Sequence, residues 1–159
     1  MKTCCFTGHR ILTLTEELSR DLANELIGLI NSGVTDFYAG GALGWDMFCE
    51  KMILRMKNHF PQIKLHLVLP CSPAAQTAKW TDGQKKEFER IMQAADSTEI
   101  LSQNYYSGCM KKRNQRLVDL ADVCVCYCLN SQSGSAQTVR MAQKKDIPII
   151  NLADKKINN

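Results

Sequence analysis

Gly40-Gly41-Ala42-Leu43-Gly44 lies between a strand-like and a helix-like stretch, two residues before Asp46. Backbone N–H groups without side chains and a helix N-terminus can meet an anion at close range, so the chemistry suggested is phosphate binding. The spacing is neither G-x-G-x-x-G nor the Walker lysine loop, and a turn needing glycine only for its geometry explains the same residues. Asp46 suits a helix-start cap or a bond to a ribose hydroxyl. Ser133-Gly134-Ser135-Ala136-Gln137-Thr138 repeats the logic with two hydroxyls, against a plainer reading as a serine N-cap with a turn glycine. Arg10, Arg113 and Arg116 supply guanidinium forks for phosphate or carboxylate, or for surface ion pairs, and Lys111 and Lys112 extend a basic strip. His9, between Gly8 and Arg10, can donate to a ligand or act as an acid or base. It and Arg113 are the candidate catalytic residues. His59 and His66 lack such company and read as structural. Trp80, Tyr105 and Tyr106 can stack on a base or roof the domain itself. Spacing reveals no Ser-His-Asp or Cys-His arrangement, and neither glycine-bearing loop carries a glutamate at its helix start.

Alternating strand-like and helix-like segments must position these residues. Thr3–Thr7 reads as a strand, and Thr13-Leu14-Thr15-Glu16 has capping-box spacing for a helix closed by Gly33. Leu18, Leu22, Ala23, Leu26, Ile27 and Ile30 form its core stripe. Val34–Ala39 is the second strand, followed by a helix with Phe48, Cys49, Met52, Ile53 and Met56 on one face. Lys64–Leu69 is the third strand, and Thr81 with Gln84 opens the next helix. Thr98–Leu101, Val123–Leu129 and Pro148–Leu152 are the remaining strands, with helices over Gly108–Leu120 and Ser135–Lys145. Strand–helix–strand units in series imply parallel pairing with right-handed crossovers. The expected fold is therefore a single-domain α/β, Rossmann-like, doubly wound and mainly parallel sheet with helices on both faces, spanning residues 1–153 before a frayed tail at 154–159. Ligands of such sheets bind beyond the carboxyl ends of the strands, and every segment of chemical interest follows a strand.

The chain carries 20 Lys+Arg against 16 Asp+Glu, a net charge of +4, and 45% hydrophobic residues. That is the make-up of one folded domain, and no apolar run approaches the ~18–20 residues that span a bilayer. Met1–Arg10 lacks the apolar stretch of roughly 7–15 residues of a secretory signal, which points to the cytoplasm. Of the eight cysteines, Cys124, Cys126 and Cys128 alternate along one strand, where neighbours are poor disulfide partners. Free, mostly buried thiols are expected, and the absence of C-x-x-C pairs argues against a metal site.

Taken in order, Thr7-Gly8-His9-Arg10, Gly40-Gly41-Ala42-x-Gly44-x-Asp46, Pro70 with Gln76 and Trp80, Tyr105 or Tyr106, Arg113-Asn114 and Ser133-Gly134-Ser135 resemble the YpsA-like family over nearly the whole chain. That family belongs to the SLOG superfamily, named for the DNA-processing protein DprA (Smf) and the LOG nucleoside-monophosphate phosphoribohydrolases. The resemblance implies a Rossmann-like fold, a nucleotide-derived ligand of the AMP, NAD or ADP-ribose type, and a homodimer. On that basis Gly40, Gly41, Gly44, Gly134 and Ser135 hold phosphate, Arg10 and Arg113 neutralise it, and Asp46 bonds ribose. Gly8, His9, Asn114 and Ser133 complete the site, while Gln76, Trp80 and Tyr105 cover the base. The chain would act as a sensor or a nucleotide-processing protein. Arg113 corresponds to a catalytic arginine of LOG enzymes, but their catalytic glutamate falls where this chain has Gln137 or Thr138. An uncharged side chain cannot supply that carboxylate, which disfavours N-glycosidase activity. Arg113-Asn114-x-Arg116 and Ser133-Gly134-Ser135 also resemble DprA, which implies single-stranded DNA binding through Lys111, Lys112, Arg113 and Arg116. A charge of +4 is modest for that role.

Overall fold

The structure is a computed structural model that describes residues 1–129 and 133–157. In chain order the elements are β1 (Thr3–Gly8), α1 (Glu16–Asn31), β2 (Asp36–Ala39), α2 (Trp45–Met56), β3 (Lys64–Leu69), α3 (Pro73–Gln76) and α4 (Asp82–Ala94). β4 (Ser97–Ile100), α5 (Cys109–Leu120), β5 (Val123–Tyr127), α6 (Gly134–Lys145), β6 (Ile149–Asn151) and α7 (Leu152–Ile157) follow. The strands form one sheet in the order β4-β3-β2-β1-β5-β6, with every pairing parallel. The chain winds outward from β1 to β4, then returns to lay β5 on the other side of β1. The order therefore reverses between β1 and β5, which is the switch point of a doubly wound sheet.

Both faces are covered, as the wholly apolar β5 requires. Phe6, Phe37, Leu65, Leu67 and Leu69 pack with α1, α2 and α4, while Cys5, Val68, Cys124 and Cys126 pack with Leu117 and Val118 of α5 and Ala142 of α6. All eight cysteines are free thiols, and only Cys128 is not fully buried. No helix among the described residues is long and apolar enough to cross a membrane.

The helix ends differ in detail from the sequence reading. Thr15, not Thr13, caps α1 by accepting from the Leu18 amide at 3.1 Å, since its extended backbone aims its hydroxyl at that donor. At the other end Val34 N donates to Leu29 O and Gly33 N to Ile30 O, a Schellman closure that uses Val34 and delays β2 to Asp36. Ile27 falls outside the core stripe and is 36% exposed. The capping box of α4 forms as read, Thr81 and Gln84 exchanging bonds of 3.0 and 3.2 Å. The expected tail at 154–159 begins within a helix: Asn151 Oδ1 accepts from both the Cys128 and Ala153 amides at the start of α7, whose first residues Leu152 and Ala153 are buried and whose helix continues to Ile157. Asn158 and Asn159 lie outside the described residues.

Candidate functional site

A cavity of about 300 Å³ opens at the switch point. Gly8, His9, Arg10, Asp46, Arg113, Asn114, Ser133, Gly134 and Ser135 all line it, joined by Ala42 and Met110. These come from the loops after β1, β2 and β5 and from α2, α5 and α6, so the topology gathers residues far apart in sequence. Asn130 to Gln132, in the same expected rim segment, lie outside the described residues.

Gly40, Gly41 and Gly44 do not line this cavity. A Cβ on Gly40 would stand 2.5 Å from Arg113 Nη1, so this glycine makes room for a guanidinium. Gly44, at φ 77°, lies against the His9 and Arg10 carbonyls, and Trp45 N donates to His9 O at 3.0 Å. The loop amides that the sequence offers to a phosphate have internal acceptors: Gly41 N donates to Glu50 Oε2 at 3.2 Å and Ala42 N to Asp46 Oδ2 at 3.3 Å. The glycines pack two loops together.

Arg113 is only 5% exposed. Its Nη1 donates to Gly40 O, its Nε to Asn114 Oδ1 at 2.7 Å and its Nη2 to Met110 Sδ at 3.7 Å. The guanidinium is thus fixed by the protein and lends the cavity floor a positive potential. Burial raises the pKa of the Asp46 carboxyl, opposed chiefly by Arg113 and then by the Ala42 amide. Burial raises Glu50 further, Asp46 adds to the rise, and the Gly41 amide works against it. Of the two acids, Glu50 is the one pushed up more strongly, and its Oε1 makes no hydrogen bond. The sequence reading missed Glu50. Its only signal there is the four-residue spacing from Asp46, which puts both acids on one helix face with Cys49 and Ile53.

Across the cavity, Ser133 caps α6 by accepting from Ala136 N at 3.1 Å. That cap serves the third amide of the helix, and the two residues before it, Gly134 and Ser135, line the cavity. His9 Nε2 accepts from Leu129 N at 2.8 Å. A backbone amide can only donate, so the neutral ring carries its proton on Nδ1 and acts as a donor. Arg10 makes no salt bridge among the described residues, and Nη2 meets Met110 Sδ at 3.8 Å.

Other candidates lie elsewhere. Gln76, Trp80 and Tyr105 line a neighbouring cavity of about 390 Å³, while Tyr106 is exposed and lines neither. Arg116 pairs with Glu99 at 3.2 Å, and Lys111 faces a groove between α5 and α6 with Gln137, Arg140 and Lys144. The basic strip is therefore divided, with Arg113 buried and Arg116 spent on an ion pair. Thr138 is buried and donates to Gly134 O at 3.1 Å, so neither it nor Gln137 reaches the cavity. His66 has company after all: its ring nitrogens lie 2.6 Å from Ser97 Oγ and 2.7 Å from Asp36 Oδ1, near the strand ends opposite the cavity. No cluster of three metal-ligating side chains occurs among the described residues.

The sequence model for YpsA, described as the YspA SLOG family, matches residues 6–152. This chain belongs to that SLOG family. The family match spans β1 to the start of α7 and so contains every residue lining the cavity. The chain is 24% identical over 141 residues to a UPF0398 protein of Halalkalibacterium halodurans, covering 87% of this chain and 72% of that one. It is 26% identical over 146 residues to a UPF0398 protein of Staphylococcus epidermidis, covering 85% and 77%. A SPbeta prophage-derived protein, YoqJ of Bacillus subtilis, is 27% identical, covering 77% and 81%. Among solved structures, DNA processing protein A of Helicobacter pylori superposes with TM-score 0.62 at 22% identity, and that of Streptococcus pneumoniae with 0.67 at 15%. Each alignment covers 93% of this chain, but the chain spans only 63% and 49% of those proteins. The Helicobacter protein is described as binding single-stranded DNA. At these identities the likeness shows a shared fold.

Proposed function

We propose that this SLOG domain binds a nucleotide-derived ligand by its phosphate at the switch-point cavity. One observation carries the reading: Arg10, which makes no salt bridge among the described residues, lines the same cavity as Gly134 and Ser135 at the start of α6. A phosphate between them accepts from the Gly134 and Ser135 amides and meets a cation that is not already committed. Arg113 supports it from the floor as a fixed charge, the His9 Nδ1–H donates from the side, and Asp46 takes a sugar hydroxyl. This role differs from the phosphate seat expected at Gly40–Gly44, where the Gly41 and Ala42 amides already serve Glu50 and Asp46. The domain acts as a nucleotide sensor or as part of a nucleotide-processing reaction.

Thermal shifts with AMP, ADP-ribose, NAD and oligo-dT, each at low and high salt, test the reading. A ligand at 100 times its Kd adds about 2.7 kcal/mol, a rise in Tm of several degrees for a domain of this size. The expected result is a salt-tolerant rise with a small nucleotide, abolished in Arg10→Ala. The groove holding Lys111, Arg140 and Lys144 favours a second reading, binding of a nucleic-acid backbone. A shift with oligo-dT alone, lost as salt rises, selects that reading and overturns the first.

A further inference from the structure

The sheet assembles a Ser-His-Asp arrangement that no sequence spacing reveals. Tyr38, His66 and Ser97 stand in one row across β2, β3 and β4, and Asp36, two residues before Tyr38, shares their face. The geometry points to a second reactive site, with Ser97 as nucleophile, His66 as base and Asp36 as the acid that orients it, set for acyl transfer from a small carboxylic ester. The site lies near the strand ends opposite the switch-point cavity, and Ser97 lines none of the cavities described above. Its chemistry is independent of the phosphate reading.

The hydrogen bonds fix the direction of proton flow. Thr35 Oγ1 donates to Asp36 Oδ2 at 2.7 Å, leaving Oδ1 to meet His66 Nε2 at 2.7 Å. Burial raises the Asp36 pKa, but the bonds from Thr35 and His66 outweigh it and hold the carboxyl below its ordinary value. A carboxylate only accepts, so Nε2 carries the ring proton and Nδ1 is the acceptor for the Ser97 hydroxyl, 2.6 Å away. Tyr38 stacks on the imidazole, with ring centroids 4.7 Å apart, and keeps it in that plane. The His66 side chain is 15% exposed, whereas Ser97 is exposed, so a shielded base serves a nucleophile that a substrate can reach. β4 is an edge strand. Asp96 N donates inward to Leu65 O, and amides alternate sides along a strand, which turns the Ser97 amide to the open edge where an oxyanion can meet it. In the reaction Ser97 Oγ bonds the ester carbonyl carbon and its proton passes to His66 Nδ1. His66 gives that proton to the departing alkoxide, then takes one from the water that cleaves the acyl-serine and releases the carboxylic acid.

Two probes test this: diisopropyl fluorophosphate, which phosphorylates activated serine hydroxyls with loss of fluoride, and p-nitrophenyl acetate as the ester. The expected result is an adduct that peptide mass spectrometry places on Ser97, formed about a hundredfold more slowly in His66→Gln, which retains a donor and an acceptor. Asp36→Asn should lower kcat for p-nitrophenyl acetate about tenfold or more at little-changed KM, because the amide no longer holds the ring proton on Nε2. No adduct on Ser97 in the folded wild type, a measurement that needs no variant to fold, overturns the site and leaves the network as a staple of three strands. Labelling at equal rates in His66→Gln overturns it as well, and an unchanged kcat in Asp36→Asn removes Asp36 from it.

Discussion

Asp46 and Glu50 show how one helix can place two acids in different states. Both are buried on α2, yet Asp46 faces Arg113 and the cavity, while Glu50 has the Gly41 amide and an unpartnered oxygen. Because the folded state raises the Glu50 pKa, its stabilising effect is complete below the unfolded value and is lost as pH rises through the folded one. Glu50→Gln removes that loss and keeps an acceptor for Gly41. Urea unfolding from pH 5 to 9 should show the wild type losing stability relative to the variant as pH rises, by at most about 1.4 kcal/mol per pH unit. Parallel curves would show that Glu50 does not titrate between the two states. The sequence displays Asp46 as a loop-end acid, but Glu50 becomes informative only when Gly41 is known to turn its amide inward. His66 was hidden for a similar reason. Its partners Asp36 and Ser97 stand 30 and 31 residues away and meet it only across parallel strands.

At the scale of elements, α5 and α6 form opposite walls of the cavity and are tied by one side chain. Lys145 Nζ, in the last turn of α6, donates to Val118, Asp119 and Ala121 carbonyls at 2.9, 2.9 and 2.7 Å, satisfying the C-terminal end of α5. Lys145→Met keeps the aliphatic stem and removes the donors. A loss of about 1 kcal/mol is expected in urea unfolding, discounted because the lysine is partly in water. No loss would mean that solvent serves those carbonyls equally well. Elements with strong local signals were legible in the sequence. β5 is apolar throughout, and α4 carries its capping box in four consecutive residues. α7 was not legible, because its sequence LADKKI is short and half polar and its start depends on Asn151 reaching Cys128.

The whole molecule explains why the candidate site lies where it does. Alternation of strands and helices made the parallel sheet legible, and the sheet's reversal between β1 and β5 determines which loops converge. Nine candidate residues meet in the switch-point cavity, Gln76, Trp80 and Tyr105 fall to the neighbouring one, and the three glycines of the 40–44 loop go to packing. That division depends on which amides the chain's own carboxylates occupy, a fact no motif spacing carries. The central claim is therefore one of place: phosphate is held between Arg10 and the start of α6. Backbone NMR of the ¹⁵N-labelled protein titrated with AMP or ADP-ribose tests it most directly. The account expects the largest shifts at Gly134, Ser135 and Arg10, with the Gly41 and Ala42 amides less affected. Shifts centred on Lys111 and Lys144, or on the Gly40–Gly44 amides with Gly134 and Ser135 unmoved, would contradict it.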